Sequence, residues 1–112
     1  MSDMFFVLAS QGVSTPPTIP TNLTATPQSG YNALSWLPSS GGGGIASYEV
    51  WGGNSANPLT WTLLVIVIGT TYNDSTYTIN QIRYYGVKAV GVNGLKSALS
   101  TGASAINSTV PG

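Results

Sequence analysis

The stretch Ile45-Ala46-Ser47-Tyr48-Glu49-Val50-Trp51 admits few structures. It is rich in β-branched and aromatic residues and alternates in character, which predicts a strand with Tyr48 and Val50 on one face and Glu49 on the other. A shorter segment before it, Ala33-Leu34-Ser35-Trp36, repeats the pattern and puts Leu34 and Trp36 on one face. Two such strands each need an apolar partner surface. The expectation is one core between two sheets, in which Trp36, Tyr48 and Val50 meet.

The rest of the chain is punctuated in the same way. Strands are expected at 21–26, 31–37, 45–51, 61–68, 70–73, 83–92 and 95–103, with a further strand open at Tyr77-Thr78-Ile79 in the crossover from Asp74 to Ile82. Pro27-Gln28-Ser29-Gly30, Gly41-Gly42-Gly43-Gly44 and Gly52 to Pro58 read as turns and loops. Asn93-Gly94 reads as a two-residue hairpin turn with positive φ at both positions. The run 61–68 shows too little alternation for a face in water, so a cover or a partner is expected over both faces. No window places apolar residues at helical spacing among helix formers. Seven short strands separated by turn signals indicate an all-β sandwich.

Residues 1–19 read as an N-terminal arm followed by a stiff Pro16-Pro17-Thr18-Ile19-Pro20 connector, 20–103 as the sandwich, and 104–112 as a C-terminal tail. Phe5, Phe6, Val7 and Leu8 form an apolar run in the arm, expected to be a protein interface that docks on a neighbouring subunit, with an extra edge strand on the same sandwich as the competing reading. The opening residues lack the basic start and the apolar length of a signal peptide, and no run approaches the length of a membrane-spanning helix. Membrane insertion is therefore not expected.

Charge is scarce. Charged residues make up 5% of the chain, with three basic and three acidic side chains and a net charge of zero, where a globular domain carries roughly 25%. Arg83, Lys88 and Lys96 are too few to track phosphates, so nucleic acid is excluded as a partner. A neutral surface rich in hydroxyls suits a protein held in an assembly, because charge is what keeps free copies apart.

Several of these segments, in order, resemble the fibronectin type III family in its bacterial and bacteriophage form. They are Pro20-Thr21-Asn22-Leu23-Thr24-Ala25, Leu34-Ser35-Trp36, Ile45 to Trp51, Gly69-Thr70-Thr71-Tyr72-Asn73-Asp74, and Tyr85-Gly86-Val87-Lys88-Ala89-Val90-Gly91-Val92-Asn93-Gly94. The resemblance runs from about Pro20 to Ser100 and implies a seven-stranded fibronectin type III, immunoglobulin-like β-sandwich, here with extended N- and C-terminal arms. One departure stands out. The family usually carries a leucine and, six residues later, the tyrosine of its tyrosine corner, whereas those positions hold Tyr77 and Arg83. Either Arg83 donates in the tyrosine's place or Tyr84 shifts into it. The family's Arg-Gly-Asp adhesion motif is absent.

Catalysis is not expected. The chain has no His and no Cys, which removes the commonest general base and the thiol nucleophile. Its acids are Asp3, Glu49 and Asp74, and nothing in their spacing puts two across a cleft; they read as solvated charges. Metal and cofactor sites have no clustered ligands. Asn22-Leu23-Thr24, Asn73-Asp74-Ser75 and Asn107-Ser108-Thr109 match the glycosylation pattern by chance. Trp51 and Trp61 flank a glycine-rich loop and are candidates to stack on a sugar ring, set against packing or a subunit contact, which aromatic residues more often serve.

The functional expectation is a non-enzymatic structural protein. By resemblance it is a bacteriophage virion accessory component, a capsid-decoration, neck or tail protein assembled in the bacterial host cytoplasm. Its partners would be copies of itself and other virion proteins. The alternative is a carbohydrate-binding or spacer module on a bacterial cell surface, with a glycan contact.

Overall fold

A computed structural model describes residues 15–112. Seven strands form two antiparallel sheets: β1 (Thr21–Gln28), β2 (Tyr31–Leu37) and β5 (Thr71–Asp74) in the order β1-β2-β5, and β3 (Ile45–Gly53), β4 (Thr62–Val67), β6 (Ile82–Gly91) and β7 (Ala103–Ile106) in the order β4-β3-β6-β7. The expected all-β sandwich forms, and β2 has the expected limits. Its inward face sends Leu34 and Trp36 onto Tyr48 and Val50 of β3 and Tyr85, Val87 and Ala89 of β6. Trp36 and Tyr48 meet edge to face with centroids 5.6 Å apart, the arrangement that aromatic quadrupoles favour. Leu23, Ala25, Leu64, Val65, Val67 and Tyr72 close the core from the flanking strands.

The end of the chain differs from expectation. The returning strand at 95–103 does not form. One bridge pairs Val90 with Lys96, after which Ser97 and Ser100 take over. Their backbone N–H groups donate to the carbonyls of Ala89 and Val87, and their hydroxyls accept from the amides of Ala89 (2.9 Å) and Val87 (3.0 Å). Side-chain oxygens thus satisfy donors that a strand partner would have taken. Pairing resumes only at β7, where Ala103–Ile106 lies against Ile82–Tyr85. The seventh strand therefore falls largely in the segment expected to be a tail. Beyond it, Asn107 is buried, and its Nδ2 donates to the carbonyls of Gln28 and Tyr31 and to Asn32 Oδ1. The C-terminal residues are laced to the β1–β2 hairpin, and Gly112 N–H closes the seam on the Gly30 carbonyl at 3.0 Å.

The other terminus also joins the sandwich earlier than expected. Pro17 is buried, Thr18 N–H donates to Ser40 O at 2.8 Å, and Ser40 N–H donates to Thr18 Oγ1 at 3.0 Å. The proline connector is stitched to the loop after β2, so residues 16–19 belong with the domain. Phe5, Phe6, Val7 and Leu8 lie outside the described residues.

Asn93-Gly94 does turn the chain, with Gly94 N–H bonded to Gly91 O and Gly91 N–H to Leu95 O. Only Gly94 takes a positive φ, 85°, so the turn is longer than the two-residue form. No strand forms at Tyr77-Thr78-Ile79.

Candidate functional site

Both described acids are buried, which corrects the expectation that they are solvated. Asp74, at the end of β5, is fully enclosed. Its Oδ1 accepts from Thr76 N–H (2.9 Å) and Thr76 Oγ1 (2.5 Å), and its Oδ2 accepts from Arg83 Nε (3.0 Å) and the Tyr85 hydroxyl (2.6 Å). The Tyr85 oxygen in turn accepts from Asn32 Nδ2 at 2.8 Å. A polar chain therefore runs from Arg83 through Asp74, Tyr85 and Asn32 to Asn107, tying both sheets and the C-terminal segment together. Burial works against the charged form of Asp74, but the hydrogen bonds from Thr76 and Tyr85 and the Arg83 guanidinium outweigh it and hold the carboxyl below its usual range. Burial, with the adjacent carboxylate, pushes the Tyr85 hydroxyl well above the ordinary phenol value. Arg83 thus takes the tyrosine-corner position and anchors the crossover, with its second contact to Thr76 Oγ1 at 2.9 Å. Tyr77, at the family's leucine position, is buried and donates its hydroxyl to the Thr109 carbonyl. Every carboxylate oxygen here is spoken for. The cluster is a clasp between sheets, with no oxygen free to act on a substrate.

The outer face of the larger sheet is a different environment. Glycine at 86 opposes Trp51 across β3 and β6, and it leaves the hollow that Trp61 fills. A Cβ on Gly86 would lie 2.8 Å from Trp61 Cζ3, and one on Gly53 2.9 Å from Trp61 Cδ1. Trp61 Nε1 donates to Ser55 O at 2.7 Å. The short 3-10 helix Pro58–Thr60 leads into it, started by Asn57, whose Oδ1 accepts from Leu59 N–H. Trp61 is consequently 8% exposed and offers little ring face to a ligand. Trp51 remains half-buried on the surface, its Nε1 donating to Glu49 Oε1 at 3.1 Å. Glu49 Oε2 pairs with Lys96 Nζ at 2.7 Å. Burial disfavours the Glu49 charge, but these bonds and the nearby Lys96 and Lys88 charges lower its pKa on balance. Lys88 Nζ sits 5.2 Å from the Trp51 ring centroid, within cation–π range.

Trp51, Leu59, Trp61, Lys88, Leu99 and Ser100 line an open groove of about 610 Å³. The sequence-predicted pair Trp51 and Trp61 does come together there. The groove can take a flat or apolar group and offer one cation to it. Beside Leu59 (92% exposed), three residues of the run that the sequence reads as needing cover are also exposed: Leu63 (42%), Ile66 (56%) and Ile68 (85%). Among the described residues no group of three or more His, Cys, Asp or Glu could hold a metal ion.

No protein-family model and no curated protein matches the chain. Solved structures do match. A Fn3-like protein from Clostridium thermocellum superposes with a TM-score of 0.73 at 26% identity, covering 83% of this chain and 95% of that one. Domains A168–A170 of titin give 0.70 at 21% identity, over 81% of this chain and 32% of that one. The pectate lyase Pel3 from Pectobacterium carotovorum gives 0.68 at 19% identity, over 77% of this chain and 26% of that one. The strand order, the Trp36–Tyr48 core and these likenesses together give the chain the fibronectin type III fold, a seven-stranded β-sandwich.

Proposed function

We propose that the chain is a non-enzymatic structural protein that works by contact with other proteins, as an accessory component of a bacteriophage particle. The observation that carries the contact reading is the exposure of Leu59, Leu63, Ile66 and Ile68 on an almost uncharged domain. Contiguous exposed apolar surface marks interaction sites in soluble proteins. The stretch from Val50 to Asn73 holds no charged residue, and such a surface is best kept in an assembly that covers it. The particle assignment rests on the resemblance to bacterial and bacteriophage fibronectin type III domains. Mass spectrometry of purified particles, released from cells that carry the gene, tests it. The protein should be present in fixed ratio to the major structural proteins. Its absence from washed particles would overturn the assignment.

A second reading, a carbohydrate-binding or spacer module on a bacterial surface, is favoured by the Trp51–Lys88 groove and by the likeness to part of a pectate lyase. Tryptophan fluorescence titrated with neutral and acidic oligosaccharides checks it. Saturable quenching that disappears in Trp51→Ala would support this reading, and no change at millimolar sugar would remove it.

A further inference from the structure

We infer that β4 pairs edge to edge with β4 of a second copy across a two-fold axis, joining two four-stranded sheets into one. The inference rests on the contact reading above and names its partner and geometry.

The two sheets present four edges: β1, β5, β4 and β7. An open edge carries unpaired N–H and C=O groups, and proteins ordinarily blunt it with short strands, bulges, prolines or charges. β5 and β7 are four residues each. β1 contains Pro27 and an irregular register between Thr21 and Thr24, with Asn22 at φ 58°. β4 (Thr62–Val67) has no charge, no proline and no glycine, although its pairing with β3 shifts register beside Trp51. Leu64, Val65 and Val67 of this strand pack on the core. Leu63 and Ile66 are left exposed, and Ile68 follows directly after.

The chemistry of the surface favours a second copy as occupant. Antiparallel self-pairing lays one uncharged run on itself, so no like charges come opposite each other. The whole molecule has zero net charge, which removes long-range repulsion between copies. A partner recognised by charge would find little to answer, because Glu49 and Lys96 are tied to each other at 2.7 Å and Lys88 lies over the Trp51 ring. A strand of this length spans only roughly 20 Å, and a stable interface buries on the order of 1,200 Å² or more. The contact must therefore spread over the outer residues Leu63, Ile66 and Ile68 as well as the backbone.

Sedimentation equilibrium of the full chain across a wide concentration range tests this, combined with amide hydrogen exchange. The wild type should be a dimer, with those amides of 62–68 that face away from β3 protected in proportion to the dimer fraction. Ile66→Lys, at an exposed position, should leave the fold intact and weaken dimerisation by at least tenfold. Ile106→Lys on β7, the opposite edge of the same sheet, should leave it unchanged. A wild type that stays monomeric overturns the pairing. So does an Ile66→Lys variant that dimerises as well as the wild type, or a monomer in which the 62–68 amides facing away from β3 are already protected. A monomeric protein still found in particles would sink this inference and leave the contact reading standing. A dimeric protein absent from particles would overturn the particle assignment and leave this inference standing.

Discussion

Replacing Asp74 by asparagine keeps the side-chain volume at a fully buried position, so the effect isolates the charge and its hydrogen bonds. The carboxylate accepts four bonds, two on each oxygen, from Thr76, Arg83 and Tyr85. An amide has one accepting oxygen. If that oxygen keeps Thr76, the NH₂ faces the Arg83 Nε–H and the Tyr85 hydroxyl, both donors. Tyr85 has little freedom to reverse, because its oxygen already accepts from Asn32. Removing one partner from a buried ion pair costs about 3–5 kcal/mol, and no cavity term adds to it because the volumes match. With a urea slope of about 1–3 kcal/mol per molar, the unfolding midpoint should fall by at least about 1 M. The pH dependence gives a second reading. Asp74 is held below its ordinary value of 3.8 in the folded chain. Its contribution is complete above that value and is lost as pH falls through the folded value. The gap between wild type and Asp74→Asn should therefore be widest near neutral pH and shrink below pH ~4. Glu49 also has a lowered pKa but is present in both proteins, so the difference between them reports Asp74. A midpoint that barely moves at neutral pH, or a gap that stays constant down to pH ~2, would refute the account of the clasp.

Three further outcomes follow from the packing. Trp36→Ala, at the centre of the core, should cost about 3–5 kcal/mol in chemical denaturation, and an unchanged midpoint would refute its placement. Gly86→Ala would drive a Cβ into Trp61 and Leu99 at 2.8–2.9 Å; it should expel the indole and red-shift the tryptophan emission, by an overpacking cost of about 1–3 kcal/mol. Gly94→Val should lower the melting temperature, because a β-branched residue resists the 85° φ seen there, and a neutral result would mean that the turn adapts.

How far the sequence reveals this molecule depends on the range of the interaction. Tyr31–Leu37 and the Trp36, Tyr48 and Val50 core follow from period-two alternation, a local signal. The clasp does not. Acids are rarely buried, and Asp74 becomes an exception only when the packing of one sheet on the other brings Tyr85 and Arg83 against it from 11 and 9 residues away, and antiparallel pairing sets Asn32 beside it. The stretch after Asn93 misleads for a related reason. Leu95 to Ala103 has the composition of a strand, but the serines at 97 and 100 offer the β6 amides a side-chain alternative. The Trp51–Trp61 groove was half legible: the tryptophans were visible, but the hollow under Trp61 is made by glycines on two other segments. Asn107-Ser108-Thr109 shows the limit of motif reading, since Asn107 is 1% exposed and its oxygen accepts from Thr109.

Ser97 and Ser100 also decide how large an assembly the larger sheet can build. By closing the β6 amides with hydroxyls, they leave no ladder for an added chain to extend along the middle of that side. β7 beyond them offers only four residues. A sheet that can grow at one end and not the other cannot polymerise. On the pairing proposed through β4, the growing end of both copies is used up, and the product would be a closed pair instead of an amyloid-like ribbon. In a sparsely charged, β-rich chain this side of the sheet is guarded largely by two hydroxyl groups.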